Sequence, residues 1–389
     1  MAPETASSNL KELFLLRPDI VFLNHGSYGA CPRPVFELYQ QRQRELESQP
    51  VQFIGYVLPD LLQEARARLA GFLHTEANNI AFVSNATYGI NIVARALKLQ
   101  PGDEILGTDH EYGAIDRTWR FLTGKNGATY VNYPMPLPFT TPEEFIERFW
   151  QAVTPRTRVI SISHITSPTA LTFPVKEICR RAREAGILTV IDGAHAPGQI
   201  RLDLDDIGAD FYSGNCHKWL SAPKGAGFLF ARPEAQALIE PLVVSWGYES
   251  VTPGPSRYID WIEWQGTRDP AAWLAVPAAI EFQEKYNWDK VRQDCHVLLV
   301  ETRQRVDELT GLQPICPNDT GWYHQMATIR LPECDLEALK KTLWEDYQIE
   351  VPLMNWKNNY MFRVSIQGYN TPADIDHLLF ALKQTLPLN

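Results

Sequence analysis

No two cysteines of this chain stand close enough in sequence to form a C-x-x-C unit. The six that occur, Cys31, Cys179, Cys216, Cys295, Cys316 and Cys334, are scattered over 389 residues. That spacing excludes a zinc framework and a disulfide-stapled scaffold. Concentrated basic charge is missing as well: 36 Lys and Arg face 46 Asp and Glu, a formal net charge of -10. A phosphate-rich partner needs clustered positive charge, so no nucleic-acid partner is expected. No stretch approaches the roughly 18 consecutive apolar residues of a spanning helix, so no membrane partner is expected either. The opening Met1–Ser8 lacks the basic and apolar regions of a secretory signal. The expectation is a soluble, cytoplasmic globular protein. With 45% hydrophobic residues it can bury a large core, divided between two domains.

From about residue 80 the chain alternates short β-rich runs with helical patterns. Strands are predicted over Ile80–Ser84, Glu104–Thr108, Ala128–Asn132, Arg158–Ser163, Ile187–Asp192, Phe211–Ser213 and Gly227–Ala231. Helices are predicted over Ile90–Lys98, Ile115–Thr123, Pro142–Ala152 and Val175–Ala185. Thr141-Pro142-Glu143-Glu144 reads as a capping box with proline at the first helical position, and Gly186 as a helix terminator. Unbroken apolar runs such as Ile187–Ile191 suit strands covered on both faces. The fold class is therefore α/β, with a mostly parallel seven-stranded sheet in a large domain. Ligands of such sheets bind beyond the strand C-termini, where Asn85, His110, His164, Asp192 and Ser213 fall.

The Pro- and Gly-rich Val251–Ser256 marks a boundary or exposed loop. The expected organisation is an N-terminal segment, residues 1–20, packing with the small domain; a large domain, 21–255; and a smaller C-terminal α+β domain, 256–389. In the last, helices are predicted over Pro270–Tyr286, Trp288–Leu309, Leu336–Tyr347 and Pro372–Leu386, with strands over Gln325–Leu331, Glu350–Leu353 and Tyr360–Ile366.

Lys218 lies in a Ser/Gly/His turn, 26 residues after Asp192. A charge at the end of an apolar strand is costly unless it has a partner. This pairing suits pyridoxal phosphate, whose aldehyde takes an amine as a Schiff base and whose pyridine nitrogen needs an anion to hold its proton. The amine must be neutral to attack, and partial burial beside cations promotes that. Lys224, in Pro223-Lys224-Gly225, is the nearest rival. Asn85-Ala86-Thr87 falls between a strand and a helix, where unpaired N–H groups and the helix dipole favour a phosphate dianion. Asn and Thr are ordinary caps there too.

In order and spacing, Phe22–Gly29, Asp192–His195, Gly214–Leu220 and Phe362–Ile366 resemble the fold-type I pyridoxal-phosphate enzymes, specifically the class V aminotransferase superfamily and its isopenicillin N epimerase-like branch. The resemblance covers nearly the whole chain. It implies Lys218 for the Schiff base, Asp192 for the pyridine nitrogen and His195 near the ring and its phenolic oxygen. It puts Ser213 and His217 on the phosphate with Asn85, Ala86 and Thr87. It stacks Tyr112 on the cofactor face opposite Lys218, with His110 as the other ring available. His164 and the Thr166–Thr169 loop fall near the cofactor oxygen or the substrate. Arg363 matches the arginine that binds the substrate α-carboxylate, with Asn24 and Arg268 as further substrate-binding candidates and Trp246 and Tyr248 as candidate pocket walls. Gly266 and Thr267 resemble a loop that reaches a neighbouring protomer's phosphate, which implies a homodimer with shared active sites. No metal is called for.

Desulfurase relatives carry a persulfide-forming cysteine on a loop before that arginine. Val351–Arg363 contains no cysteine, which disfavours a cysteine-nucleophile desulfurase and leaves a direct C–S lyase open. The implied activity is inversion at the α-carbon of a small-molecule amino acid, Lys218 removing the proton and Tyr112 or a water returning one. A β-eliminating C–S lyase and then an aminotransferase are the alternatives. A non-catalytic binding protein of the same fold is the reading from another class, and the intact Asp192, His195, Ser213, His217 and Lys218 set argues against it.

Overall fold

Residues 10–318 and 321–388 are described by a computed structural model. The first nine residues of the expected N-terminal segment lie outside it. Twelve strands form three sheets. The large one takes β2 (Ile80–Val83), β3 (Glu104–Thr108), β4 (Thr129–Tyr133), β5 (Thr157–Ser163), β6 (Leu188–Gly193), β7 (Phe211–Asn215) and β8 (Gly227–Ala231), in the order β2-β8-β7-β6-β5-β3-β4. Only β8 runs against its neighbours. The seven expected strands are all present.

Period-two alternation divides this sheet's side chains between two cores. Ile160, Ile191 and Tyr212 face one cluster; Val159, Val190 and Phe211 face the other, with Ile90 and Val93 of the helix Ala86–Ala96 and Trp119 of the helix Gly113–Asn126. Helices on both faces leave one route to solvent at the strand C-termini. The chain order reverses between β3 and β5, which opens a crevice there.

A second sheet of β9 (Met326–Arg330), β11 (Leu353–Trp356) and β12 (Asn359–Ser365) is antiparallel, in the order β11-β12-β9. The strand expected over Glu350–Leu353 is divided at Pro352, which has no N–H for a ladder. Before it, β10 (Ile349–Glu350) pairs in parallel with β1 (Val21–Phe22); after it, β11 joins the second sheet. Likewise the helix expected over Pro270–Tyr286 is two segments, Ala271–Leu274 and Val276–Lys285, with Pro277 in the first turn of the second. The Thr141 hydroxyl caps the Glu144 amide, but the Glu144 carboxylate turns to Thr140, so the reciprocal half of the expected box is missing. A complete box stands instead at Thr371 and Asp374.

Among the described residues no helix is long and apolar enough to cross a membrane. Leu10 and Phe14 pack on the C-terminal part of the chain, Phe14 with its ring centroid 4.9 Å from that of Tyr369. The helix Arg257–Glu263 lies against β2: the Glu263 carboxylate accepts from the Phe82 amide (2.8 Å) and pairs with Arg66 (2.7 Å), and each of these two side chains is 3% exposed. Removing one partner leaves an uncompensated buried charge. Arg66→Met is expected to lower stability by about 3–5 kcal/mol, and Arg66→Met with Glu263→Leu by much less, as read from denaturant midpoints.

Candidate active site

The loops after β2, β3, β5, β6 and β7 meet at the open edge. Asp192 sits at the end of β6, in register with Ser163 on β5 and Ser213 on β7. It is buried, and its Oδ1 accepts from the Ala194 amide (2.9 Å). Burial pushes its pKa up; the Ala194 N–H and the nearby Lys218 oppose that rise. Three residues on, His195 places Nε2 3.1 Å from the Lys218 Nζ, while its Nδ1 accepts from the Trp219 indole N–H (3.4 Å).

These two contacts determine the charge of Lys218. Burial holds His195 well below its ordinary pKa, so the ring is neutral and carries one proton. Trp Nε1 can only donate, so Nδ1 is the acceptor and the proton is on Nε2. Nε2–H then donates to Nζ, and only an uncharged amine has a lone pair to accept it. Burial, with Arg363 nearby, independently brings Lys218 down to about 7. Lys224, the rival, donates its amine to the Gly29 carbonyl (2.9 Å) instead.

The turn Asn24–Gly29 clamps the Lys218 loop from the other side. His25 Nε2 bonds the Lys218 carbonyl (3.0 Å) and its Nδ1 meets Tyr369 Oη (2.9 Å). Gly29 has φ +71°, and a Cβ there would stand 2.1 Å from the His217 carbonyl. Only glycine allows that approach.

Arg363 on β12 is buried. Nη1 donates to the Ser167 carbonyl (2.6 Å) and hydroxyl (3.2 Å), Nη2 to the Ser27 hydroxyl (3.1 Å), and Nε has no partner. No carboxylate bonds it, and burial lowers its pKa to about 10. Asn24 acts at one remove: its Oδ1 accepts from Ser27 (2.5 Å) and its Nδ2 donates to Glu350 (3.1 Å).

Asn85 caps the helix Ala86–Ala96 through the Tyr88 amide (2.9 Å), with Thr87 in the first turn. Ser213 stands deeper than expected: its hydroxyl donates to the Phe228 carbonyl (3.0 Å) and fills the space a Cβ on Gly89 would need. Two residues further on the same face, Asn215 accepts from the Ala86 amide (2.8 Å) at the helix N-terminus. Sequence reasoning missed Asn215; the signal was the strand's period of two, continued to its last residue. His217 Nδ1 donates to the Ala226 carbonyl (3.1 Å), and burial lowers its pKa to about 4.

Of the two rings in Thr108–Tyr112, His110 is fully buried, both nitrogens bonded to Thr169 Oγ1 (2.8 Å) and the Met135 carbonyl (2.6 Å). Tyr112 is the one presented at the surface, 47% exposed, within electrostatic reach of Arg363. Between them Glu111, also missed, turns inward beneath the site. His164 bonds Tyr212 Oη (2.9 Å) and burial drops it to about 3. Arg268 is not brought to this group; it stacks 4.0 Å over the Trp273 ring and donates to the Glu263 carbonyl. Gly266 and Thr267 are exposed, and Trp246 is 84% exposed.

The family model "Aminotransferase class-V" matches residues 33–378. The chain belongs to the class V aminotransferase family. It is 38% identical to isopenicillin N epimerase of Amycolatopsis lactamdurans over 98% of both chains. It is 31% identical to putative L-cysteine desulfhydrase 1 of Oryza sativa subsp. japonica, over 85% of this chain and 72% of that one. The apo cysteine desulfurase of Thermococcus onnurineus NA1 has the same fold, with a TM-score of 0.85 at 19% identity over 99% of each chain.

The donor set fits pyridoxal phosphate, the cofactor that membership of this family brings. Asp192 would face a protonated ring nitrogen, Lys218, brought down to about 7, could supply a neutral amine, and the helix N-terminus at Asn85–Thr87 would suit a phosphate. Because the neutral amine is the competent form, cofactor capture by apoprotein is expected to rise with pH through about 7 and level off above about 8. Stopped-flow absorbance measures this; a lysine at its ordinary value would still be climbing at about pH 9.

Proposed function

We propose that this chain is a pyridoxal-phosphate enzyme that inverts the α-carbon of an amino-acid substrate. The observation that carries the reading is the Lys218 amine, 3.1 Å from His195 Nε2 and brought down to about 7 by burial and the nearby Arg363. Pyridoxal phosphate beside Asp192 supplies a sink for the electron pair left when a Cα bond breaks. Lys218 Nζ accepts the Cα proton. Arg363, whose hydrogen-bonding partners are hydroxyls and a carbonyl, holds the substrate carboxylate through its planar guanidinium. Tyr112 Oη returns a proton from the opposite face. The two proton carriers come from different loops, and Arg363 is within electrostatic reach of both. Similarity to an isopenicillin N epimerase over nearly the full length supports this assignment.

The second reading is β-elimination from a cysteine-type substrate. It is favoured by the desulfhydrase similarity and by the lack of any cysteine from Val351 to Arg363. An amino-acid panel that includes isopenicillin N, incubated in deuterated water, separates the two. Inversion gives deuterium at Cα with both configurations present. Elimination gives a keto acid and a thiol. Exchange without inversion on every substrate sinks the epimerase reading. Lys218→Ala is expected to lose the exchange and the borohydride-stable cofactor adduct, whereas Lys224→Ala keeps both.

The active unit we propose is a homodimer in the cytoplasm. Trp246, Val251 and Val244 are 84, 91 and 69% exposed, and Gly247 in the same segment abuts Trp264, beside the exposed Gly266 and Thr267. An apolar surface of this kind fits a second copy, whose site would receive Gly266 and Thr267. The absence of a disulfide among the described residues suits a reducing compartment. Trp246→Asp is expected to shift sedimentation toward the monomer and to loosen cofactor retention.

A further inference from the structure

Glu111 is a carboxylate that nothing above uses. It leaves the end of β3 and turns inward, 6% exposed. Its Oε1 accepts from the Thr108 hydroxyl (2.7 Å), and its Oε2 from both the amide (2.8 Å) and the hydroxyl (2.6 Å) of Ser163. Ser163 is the residue on β5 in register with Asp192 on β6. A second buried acid therefore stands one strand behind the carboxylate that faces the ring nitrogen. The charged neighbours are few. Asp192 on β6 repels Glu111, and Tyr130 on β4 lies in reach, its own hydroxyl bonded to Asp116 (2.7 Å). Among the described residues no cation acts on Glu111, whereas Lys218, when protonated, acts on Asp192.

Two carboxylates sharing a low-dielectric site do not both ionise without cost. Asp192 has a backbone N–H and, below the Lys218 midpoint of about 7, a cation to favour its charge; Glu111 has a backbone N–H and two hydroxyls that can rotate to accept a proton, and no cationic partner among the described residues. The pair's proton thus resides on Glu111, and burial raises that residue to about 7.

We propose that Glu111 is a positioning residue that stores a proton behind Asp192 and releases it to solvent when the ring cation of the cofactor docks against Asp192. The cation compensates the Asp192 charge, so the repulsion that kept Glu111 protonated is relieved. No bond other than O–H breaks, and the proton appears in the buffer. By linkage, loading then strengthens as pH rises through the Glu111 midpoint, and Glu111 ionised in the loaded protein helps hold the ring nitrogen protonated. This rests on the pyridoxal-phosphate reading of the site.

The test counts protons while apoprotein is loaded with pyridoxal phosphate, by calorimetry in buffers of different ionisation enthalpy, for the native chain and Glu111→Gln. The native chain is expected to release more, by up to about half a proton near pH 7, with the difference fading below about pH 5 and above about pH 9. Ser163→Ala removes a hydroxyl that favours the ionised form, so it should move the difference to higher pH; it also stands in for Glu111→Gln if that variant fails to fold. Equal release by native and variant chains that both turn yellow overturns the proposal. Failure of the native chain to take up cofactor overturns instead the reading of the site on which it rests.

Discussion

An amine that is ordinarily a cation is brought down to about 7 in a cleft, and the rest of the site is arranged around that constraint. The device is a short relay of neutral groups. Trp219 donates to His195, and His195 donates to Lys218. Each member is held from behind. The Trp219 carbonyl accepts from Gln283 (2.9 Å), the His195 carbonyl from Gln199 (2.8 Å), and the Lys218 carbonyl from His25 (3.0 Å). Helix, strand-end loop and N-terminal turn all fix the orientation of one imidazole. Its tautomer, together with burial and the nearby Arg363 charge, favours the neutral amine that can act as a nucleophile or base.

The charged groups follow the same logic. Arg363 is buried, yet its partners are two serine hydroxyls and a carbonyl rather than a carboxylate. A resident acid would compete with the carboxylate of an incoming amino acid; neutral acceptors orient the guanidinium and leave its charge uncompensated. The acid nearby, Glu350, is kept two residues away, bonded to Asn24, which accepts from the Ser27 that contacts Arg363. Such an arrangement trades stability for a binding-ready charge, and elsewhere the chain behaves differently. In the Arg66–Glu263 pair a buried guanidinium does have a carboxylate partner.

Much of this was legible in the chain before folding. Apolar runs ending in Asp192, Ser163 or Thr108 located the strand edge, because burial on both faces leaves a polar residue no other place to go. Asn215 and Glu111 were not legible, and for a physical reason. Asn215 matters through an amide 129 positions away in sequence and Glu111 through Ser163, 52 positions away; only register brings them together. Ser213 was the more visible residue, but alternation puts it a full pleat deeper, under Gly89. Trp246, a candidate pocket wall in the sequence, is 84% exposed.

The hairpin β11–β12 explains why the absent cysteine matters beyond chemistry. Its turn, Lys357-Asn358, has both residues left-handed (φ 51° and 62°), a tight reversal that projects the tip outward. There Trp356 packs on His110, ring centroids 4.5 Å apart, and Lys357 pairs with Asp109. Both contacts fall on the loop that presents Tyr112. Arg363 lies on the second strand of the same hairpin, so on the proposed reading one element would hold the carboxylate end of a substrate and brace the loop that presents Tyr112. A mobile loop bearing a nucleophilic sulfur would need freedom to reach the substrate. A braced hairpin gives that up, and gains a fixed relation between Arg363 and Tyr112. Returning a proton to a chosen face requires that fixed relation, whereas delivering a thiolate to a sulfur atom does not.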